Sequence, residues 1–374
     1  MASGPIEPFY EWQLGEEIPI ITGLIIDDLN EVELAPWDRM GGKGAFLNLG
    51  TRPSSQTSAY LCEIEPGGSL KPQSHLFDEY VYVVSGRGAT TVWVEDRPKQ
   101  LIEWQEGSFL AIPLNARHQH FNTSDAPARF LAYHDAPTVM NRFRNERFVF
   151  DNPFVFDDRF SGEAGYFSGE GTLESVPGKS FRVWKTNFVP DARGIKLYEW
   201  KERGAGGLNI MLEMAESRIH THISQFPVGT YKKGHVDPTV RGSDPGGGSF
   251  LMILEGVGFT LVWGPGDNEF KRLDWKRNSL LISPSGWYHQ HFNVGPTPAR
   301  YLAMTGGGRG GTNNRQNTFA DVSEREGGGQ IEYPDENPEI HRIFEEALHQ
   351  HGATCRMRHL SPFCTAEDES AIPA

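Results

Sequence analysis

The chain contains its own second copy, and that constrains its fold more than any other feature. Residues 113–132, PLNARHQHFNTSDAPARFLA, return as residues 284–303, PSGWYHQHFNVGPTPARYLA. Ahead of these, SGRGATTVW ends at Trp93 and EGVGFTLVW ends at Trp263. Trp93 and Trp263 lie 170 positions apart, and His118 and His289 lie 171 apart. A near-constant offset of this kind implies two units of one supersecondary design. The chain has 374 residues, which suits two domains of ordinary size.

Each unit reads as β. In the first, residues 58–64, 80–84, 89–94 and 108–112 are short runs rich in β-branched and aromatic side chains. Gly67, Gly68, Gly86, Gly88 and Gly107 punctuate them at the spacing of a small barrel or sandwich. Residues 251–254, 259–263 and 279–282 repeat the pattern. The expected organisation is a covering segment over 1–50, a barrel over 51–137, a connector over 138–205, a second barrel over 206–306 and a tail over 307–374. The connector holds PFVFDDRFSGEAGYFSGEG, too aromatic for a floppy linker. The tail opens on the glycine-rich residues 306–311 and then predicts one helix over about 338–350. Asn337 can cap it, Pro338 suits its first turn and Gly352 lies just past its end. Ile340, Ile343, Phe344, Ala347 and Leu348 share a face, so the helix must dock on a barrel or on a second subunit.

Charge narrows the partners. Lys plus Arg is 35 against 49 Asp plus Glu, a net charge of −14. Nucleic-acid binding without a basic tract is therefore not expected. No run approaches the roughly 20 apolar residues of a membrane helix, and the N-terminus lacks a secretory pattern. We expect a soluble, cytoplasmic protein that contacts no membrane. Cys62, Cys355 and Cys364 form neither a CxxC nor an even framework, so no disulfide scaffold is expected.

The repeated units resemble the cupin superfamily, whose pattern is G-x5-H-x-H-x3-E-x6-G and then G-x5-P-x-G-x2-H-x3-N. The first copy keeps the spacing with Gly67, Gln73, His75, Glu79 and Gly86, then Gly107, Pro113, Asn115, His118 and Asn122. Gln73 replaces the first histidine and Asn115 replaces a turn glycine. In the second copy Gly229 precedes His235 and Asp237, an insertion follows, and Ser249 stands at the glutamate position. Its closing half reads Asn278, Pro284, Gly286, His289 and Asn293. The resemblance implies an all-β bicupin, two jelly-roll-like double-stranded β-helix barrels in one chain, with a helical C-terminal tail.

Strand geometry supplies the chemistry beneath the pattern. Residues two apart share a face, so Gln73 with His75, and His118 with His120 and Asn122, point the same way. If that face lines the barrel, His75, Glu79 and His118 converge, with Gln73 as a weak fourth ligand or a partner to water or substrate. Two imidazoles and a carboxylate suit non-haem Fe(II), and the same donors suit Mn, Zn or Ni. His235, Asp237 and His289 form a possible second set, although the favoured reading makes the second barrel scaffold. His120 and His291 are read either as buried histidines bonded to a backbone carbonyl or as a proton-moving group beside the metal. Gln119 and Gln290 fall on the opposite face. His220 and His222 are read as surface or packing residues, and His349, His351 and His359 as solvated.

By resemblance to gentisate-type ring-cleaving dioxygenases, the leading expectation is an Fe(II) dioxygenase of a hydroxylated aromatic or small keto or hydroxy acid, with His120 moving protons. The alternatives are a redox-neutral Mn or Zn lyase, decarboxylase or isomerase of a small carboxylate, and a non-catalytic binding or storage bicupin. The small-molecule substrate would be the principal partner, and a homodimer or higher homo-oligomer is expected.

Overall fold

Eight strands recur twice in the same order. The first set is β1 (Gly42–Leu49), β2 (Ser58–Ile64), β3 (Glu79–Ser85), β4 (Arg87–Trp93), β5 (Gln100–Gln105), β6 (Phe109–Ile112), β7 (Arg117–Asn122) and β8 (Ala128–His134). The second is β9 (Leu208–Glu213), β10 (His220–Phe226), β11 (Gly248–Glu255), β12 (Gly258–Trp263), β13 (Lys271–Trp275), β14 (Leu280–Pro284), β15 (Tyr288–Asn293) and β16 (Ala299–Thr305). In the computed structural model, which describes residues 7–51, 56–236, 248–267, 269–306 and 319–365, each set makes one large and one small sheet. The large sheets run β1-β2-β8-β3-β6 and β9-β10-β16-β11-β14, and the small ones run β7-β4-β5 and β15-β12-β13. This is the two-barrel, jelly-roll-like architecture expected from the repeat.

The two large sheets pack on each other. Along β2 every residue is buried, because Tyr60, Cys62 and Ile64 enter their own barrel while Ala59 and Leu61 join a core shared with Ile210, Phe250 and Leu302. Tyr133 meets Phe250 at 5.2 Å between ring centroids, and the Tyr80 hydroxyl donates to the Met214 carbonyl at 3.1 Å.

The sheets also extend beyond the expected domain limits, in a crossed fashion. Residues Ile25–Ile26 of the N-terminal segment pair with β14 of the second barrel, and Phe188–Val189 of the connector pair with β6 of the first. Ile20–Gly23 adds to β1 in parallel. β1 itself lies within residues 1–50, so that segment supplies barrel strands as well as cover. Such additions protect edges that would otherwise expose unpaired backbone groups.

Two asparagines replace turn glycines without changing the turn. Asn115 has φ of 56° where the second copy has Gly286 at 75°, and Asn278 has φ of 68° where the first copy has Gly107 at 90°. Asparagine tolerates the left-handed region better than other residues with a Cβ.

The predicted C-terminal helix spans Pro338–Gln350, and the Asn337 side chain accepts from the Glu339 amide at 3.0 Å. Ile340, Phe344, Ala347 and Leu348 are buried beside Tyr231, Phe259 and Phe292 of the second barrel. At about 1.5–3 kcal/mol for each large apolar side chain, this docking ties the tail to its own chain. His349, His351 and His359 are exposed, as expected. Most of the glycine-rich stretch, from residue 307 on, lies outside the described residues.

Where β8 ends, Asp135 accepts the Asp78 amide at 2.8 Å. Burial first, and the Asp78 carboxylate second, push its carboxyl up to about 7. A raised carboxyl pKa favours the proton in the folded state, so this contribution is present in acid and is lost as pH rises between about 4 and 7. At 1.36 kcal/mol per unit the loss is roughly 2–4 kcal/mol. Asp135→Asn keeps the acceptor without the charge, and its urea midpoint should gain on wild type from pH 5 to pH 8. Parallel midpoint curves across that range would refute the coupling.

Candidate metal centre

His75, Glu79 and His118 meet inside the first barrel. Glu79 opens β3, His118 lies on β7, and His75 sits in the segment entering β3, where the Asn115 amide holds its carbonyl at 3.0 Å. All three are buried, at 4%, 1% and 1% exposure. The His75 Nε2 lies 3.7 Å from Glu79 Oε2, and the His118 Nε2 lies 3.9 Å from Glu79 Oε1. The donor atoms all fall within 4.8 Å of one another.

Hydrogen bonding fixes the direction of the lone pairs. The Nδ1 of His75 donates to the Phe77 carbonyl at 2.9 Å, and that of His118 donates to the Ala116 carbonyl at 3.2 Å. Each ring therefore carries its proton on Nδ1 and turns a bare Nε2 toward the carboxylate. The Phe77 ring stacks on His75 at 3.8 Å and holds it there. Burial, then His75, pushes His118 down to about 3. The His75 Nε2 and Glu79 Oε1 have no hydrogen-bond partner. Acceptors that face one another, too far apart to bond and cut off from water, are costly unless a cation lies between them. These residues fit a divalent metal.

His120 is built the other way round. The Trp104 indole donates to the Thr90 hydroxyl at 2.9 Å, and Thr90 Oγ1 lies 2.7 Å from His120 Nδ1. The hydroxyl can accept the indole proton and donate its own to Nδ1, and in that arrangement the imidazole proton sits on Nε2. That nitrogen is buried without a partner, and burial pushes the ring down to about 4, so it stays neutral. The expected backbone-carbonyl partner is thus a threonine hydroxyl, supplied by the register that sets Thr90 opposite His120. The second barrel repeats the chain as Trp275, Thr260 and His291, at 3.0 and 2.8 Å.

Two further side chains complete the chamber. The Tyr60 hydroxyl donates to Glu79 Oε2 at 2.8 Å, although its sequence position suited a strand core equally well. His134, which sequence reasoning missed, is the β8 residue paired with Glu79. It accepts the Ala136 amide at 3.3 Å on Nδ1 and so carries its proton on Nε2. Its signal lay two residues past the repeated segment, where His134 corresponds to Thr305.

Gln73 does not join the cluster through its amide nitrogen. It pairs with His118 through the backbone, but its side-chain N–H donates to the Arg39 carbonyl at 3.1 Å near the barrel mouth.

The second barrel places His235 against His289 at 4.0 Å between ring centroids, and Asp237 lies outside the described residues. Ser249, at the glutamate position, bonds Thr305 at 2.7 Å. His222 enters this barrel beside Trp200 and Tyr301 and replaces Tyr60. Lys232, 1% exposed, donates to the Tyr301 hydroxyl at 3.0 Å and lies over the Trp200 and Phe226 rings. Burial pushes Lys232, His222, His235 and His291 well down. A lysine stands in this interior while a serine takes the glutamate's place, so the two barrels differ in charge where they match in fold.

Comparison with known proteins agrees with the architecture. Residues 60–134 match the family model for a cupin domain. The second barrel repeats the same strands in the same order. Among solved structures it is similar to an oxalate decarboxylase of Bacillus subtilis, at 14% identity over 76% of this chain and 77% of that one, with a TM-score of 0.48. It is also similar to the Lactobacillus farciminis oxalate decarboxylase formate complex, at 12% identity over 76% and 86%, again with a TM-score of 0.48. Likeness this slight speaks to neither activity nor substrate. Among curated proteins nothing matches. In the described residues no helix is long and apolar enough to cross a membrane.

Proposed function

We propose that the first barrel is the divalent-metal centre of an enzyme that acts on a small oxygen-chelating acid, with Mn(II) or Zn(II) held by His75, Glu79 and His118. The proposed reaction is redox-neutral: lyase, decarboxylase or isomerase chemistry on a small keto or hydroxy acid. The observation that carries this reading is the pairing of bare acceptors with a neutral N–H. Two imidazole nitrogens and a carboxylate converge, and His120, with its Nε2 buried and unpartnered, lies beside them at 5.5 Å between its ring and that of His118. A storage or purely structural role leaves those buried acceptors unexplained.

A bound ion would supply Lewis acidity to an oxygen of the chelated acid. The chain's own groups do the rest. Tyr60 orients Glu79, Phe77 fixes His75, and Phe130, at 4.8 Å between centroids, packs on His120. In this reading His120 Nε2 donates a proton to, or holds a hydrogen bond with, the reacting end of the substrate. The apolar walls exclude water that would compete for either role.

The donor set itself favours a second reading. Two histidines and one carboxylate also suit Fe(II) and an O2-dependent dioxygenase. Oxygen dependence separates the two readings. Protein purified without air and without added metal should carry about one Mn or Zn in this barrel and turn over small keto or hydroxy acids anaerobically. Iron, with turnover that stops without O2, would replace the redox-neutral reading by the oxygenase. His75→Ala and His118→Ala should each lose this ion while circular dichroism stays unchanged. Unchanged metal content in both variants would remove the centre from this barrel.

A further inference from the structure

A second cluster lies outside both barrels, where the C-terminal helix meets the tail beyond it. His341 and Glu345 occupy successive turns of the helix, and Cys355 and Cys364 approach from the tail. Nε2 of His341 is 3.1 Å from Glu345 Oε1 and 3.9 Å from Cys355 Sγ, and the two sulfurs are 2.9 Å apart. All four donor atoms fall within 4.8 Å of one another, and both cysteines are free thiols. We propose that His341, Glu345, Cys355 and Cys364 form a structural zinc site that pins the C-terminal tail to the helix and, through it, to the second barrel.

Donor chemistry and spacing support this. Two sulfurs, one imidazole and one carboxylate are the ligand types of closed four-coordinate zinc sites. With Zn–S near 2.3 Å and Zn–N near 2.0 Å, a tetrahedron has edges of about 3.3–3.8 Å. The observed separations of 2.9 and 3.1 Å are shorter than that range and 3.9 Å is just longer, so the two sulfurs part by about 1 Å as the site closes on the ion. Neither partner of a disulfide needs the imidazole and carboxylate that converge here.

The imidazole is held from behind. Its Nδ1 lies 2.9 Å from the Tyr231 hydroxyl, which also bonds Glu336. When Glu336 is ionised, Tyr231 donates to it and accepts from Nδ1, so a bare Nε2 faces the Glu345 carboxylate and the thiols. Carboxylate-to-histidine chains of this kind orient metal-bound imidazoles. His341 is 1% exposed and Cys355 is 6% exposed, so water does not satisfy these groups. The Glu345 carboxylate is steadied by the Thr365 amide at 3.1 Å and by the Thr365 hydroxyl. The tail is otherwise anchored by the Arg356 amide on the Gly229 carbonyl at 2.8 Å and by buried Met357.

Cobalt(II) is the probe that keeps this site apart from the barrel. The full chain, purified under reducing, chelator-free conditions, should carry about one zinc that resists His118→Ala and disappears in Cys355→Ser and Cys364→Ser. After exchange with cobalt(II), wild type and His118→Ala should show a thiolate-to-cobalt charge-transfer absorption, and Cys355→Ser should not. The first barrel's own cysteine, Cys62, is packed in the apolar core and does not group with His75, Glu79 and His118; burial pushes its thiol up and keeps it protonated, so the barrel should not give that band. If the cysteine variants fail to fold, cobalt titration of wild type alone still decides, because the band requires bound thiolate. A Cys355–Cys364 disulfide in non-reducing peptide mapping, or cobalt-loaded wild type without the band, would overturn the proposal. The second result would leave His341 and Glu345 as a hydrogen-bonded pair, with the relay reversed by a proton on Glu336.

Discussion

Glu79→Gln is expected to reverse the stability order of the protein depending on whether metal is present. His75 and His118 each give an Nδ1 proton to a backbone carbonyl and turn Nε2 toward the Glu79 carboxylate at 3.7 and 3.9 Å. Without a cation the wild type therefore confines acceptors against one another in a site closed to water. Glutamine has the same shape, can still accept from Tyr60, and brings an N–H2 that can donate to one imidazole. In chelator Glu79→Gln should be as stable as wild type or more so, by about 1–3 kcal/mol, the cost of an unmet buried polar group. With metal the order inverts. Stabilisation by a ligand follows the ratio of its concentration to Kd, and removing the anionic donor should weaken binding by more than ~100-fold, beyond the usual effect of losing a supporting partner. Thermal melts of both proteins, each in chelator and in saturating Mn(II), give the four values needed. Wild type should gain several degrees on adding metal and the variant almost none. A variant that is clearly less stable than wild type even in chelator would make Glu79 a structural group and undo the acceptor argument.

That experiment bears on residues where the two copies disagree, and the same division governs what the sequence disclosed. Shared positions carry the fold. HQHFN, the closing proline, the paired Trp93 and Trp263 and the turn glycines all fall where both barrels need the same backbone. From them the two barrels, their order and the docked helix were legible. The chemistry sits where the copies diverge: Glu79 against Ser249, Tyr60 against His222, His134 against Thr305. Glu79, His75 and His118 were still found, because their spacing is rigid within a local motif. His134 was not, because only the pairing of β8 with β3 brings it to Glu79. Gln73 was placed on the right face, but a strand pattern does not show that Arg39, 34 residues earlier, offers its amide a carbonyl. The crossed edge strands at Ile25–Ile26 and Phe188–Val189 were invisible for a related reason. Pairings of only two residues carry no periodicity, and their partners lie far away along the chain. The cluster at His341, Glu345, Cys355 and Cys364 likewise has no short motif, since helix and tail contribute two residues each.

Gly88→Ala and Gly258→Ala test the deepest part of the repeat, and each should cost about 3–5 kcal/mol. Gly88 opens the pairing of β4 with β7, and a Cβ there would lie 2.0 Å from the Phe121 carbonyl oxygen and 2.4 Å from the Trp104 ring. At Gly258 the same atom would meet the Phe292 oxygen at 2.0 Å and the Trp275 ring at 2.4 Å. The obstruction is backbone on one side and an immobilised indole on the other, so neither can yield cheaply. The indole cannot swing away without surrendering its bond to Thr90 or Thr260 and its packing in the barrel. Overpacking of a tight core usually costs about 1–3 kcal/mol, and a clash with paired backbone belongs in the rarer upper range. Gly15→Ala, with nothing within 4 Å of its added carbon, should change stability by less than about 0.5 kcal/mol and serves as the control. Urea midpoints measure all three. Gly88→Ala has a further consequence that Gly258→Ala lacks, because Trp104 and His120 share the Thr90 hydroxyl beside the candidate metal centre. When Gly88→Ala is folded at low temperature, its 15N spectrum should show the His120 proton no longer held on Nε2, while His291 keeps its own. Stabilities within about 1 kcal/mol of wild type at both glycines would mean that the indoles are free to move, and the assignment of His120 as the chamber's N–H donor would fall with them.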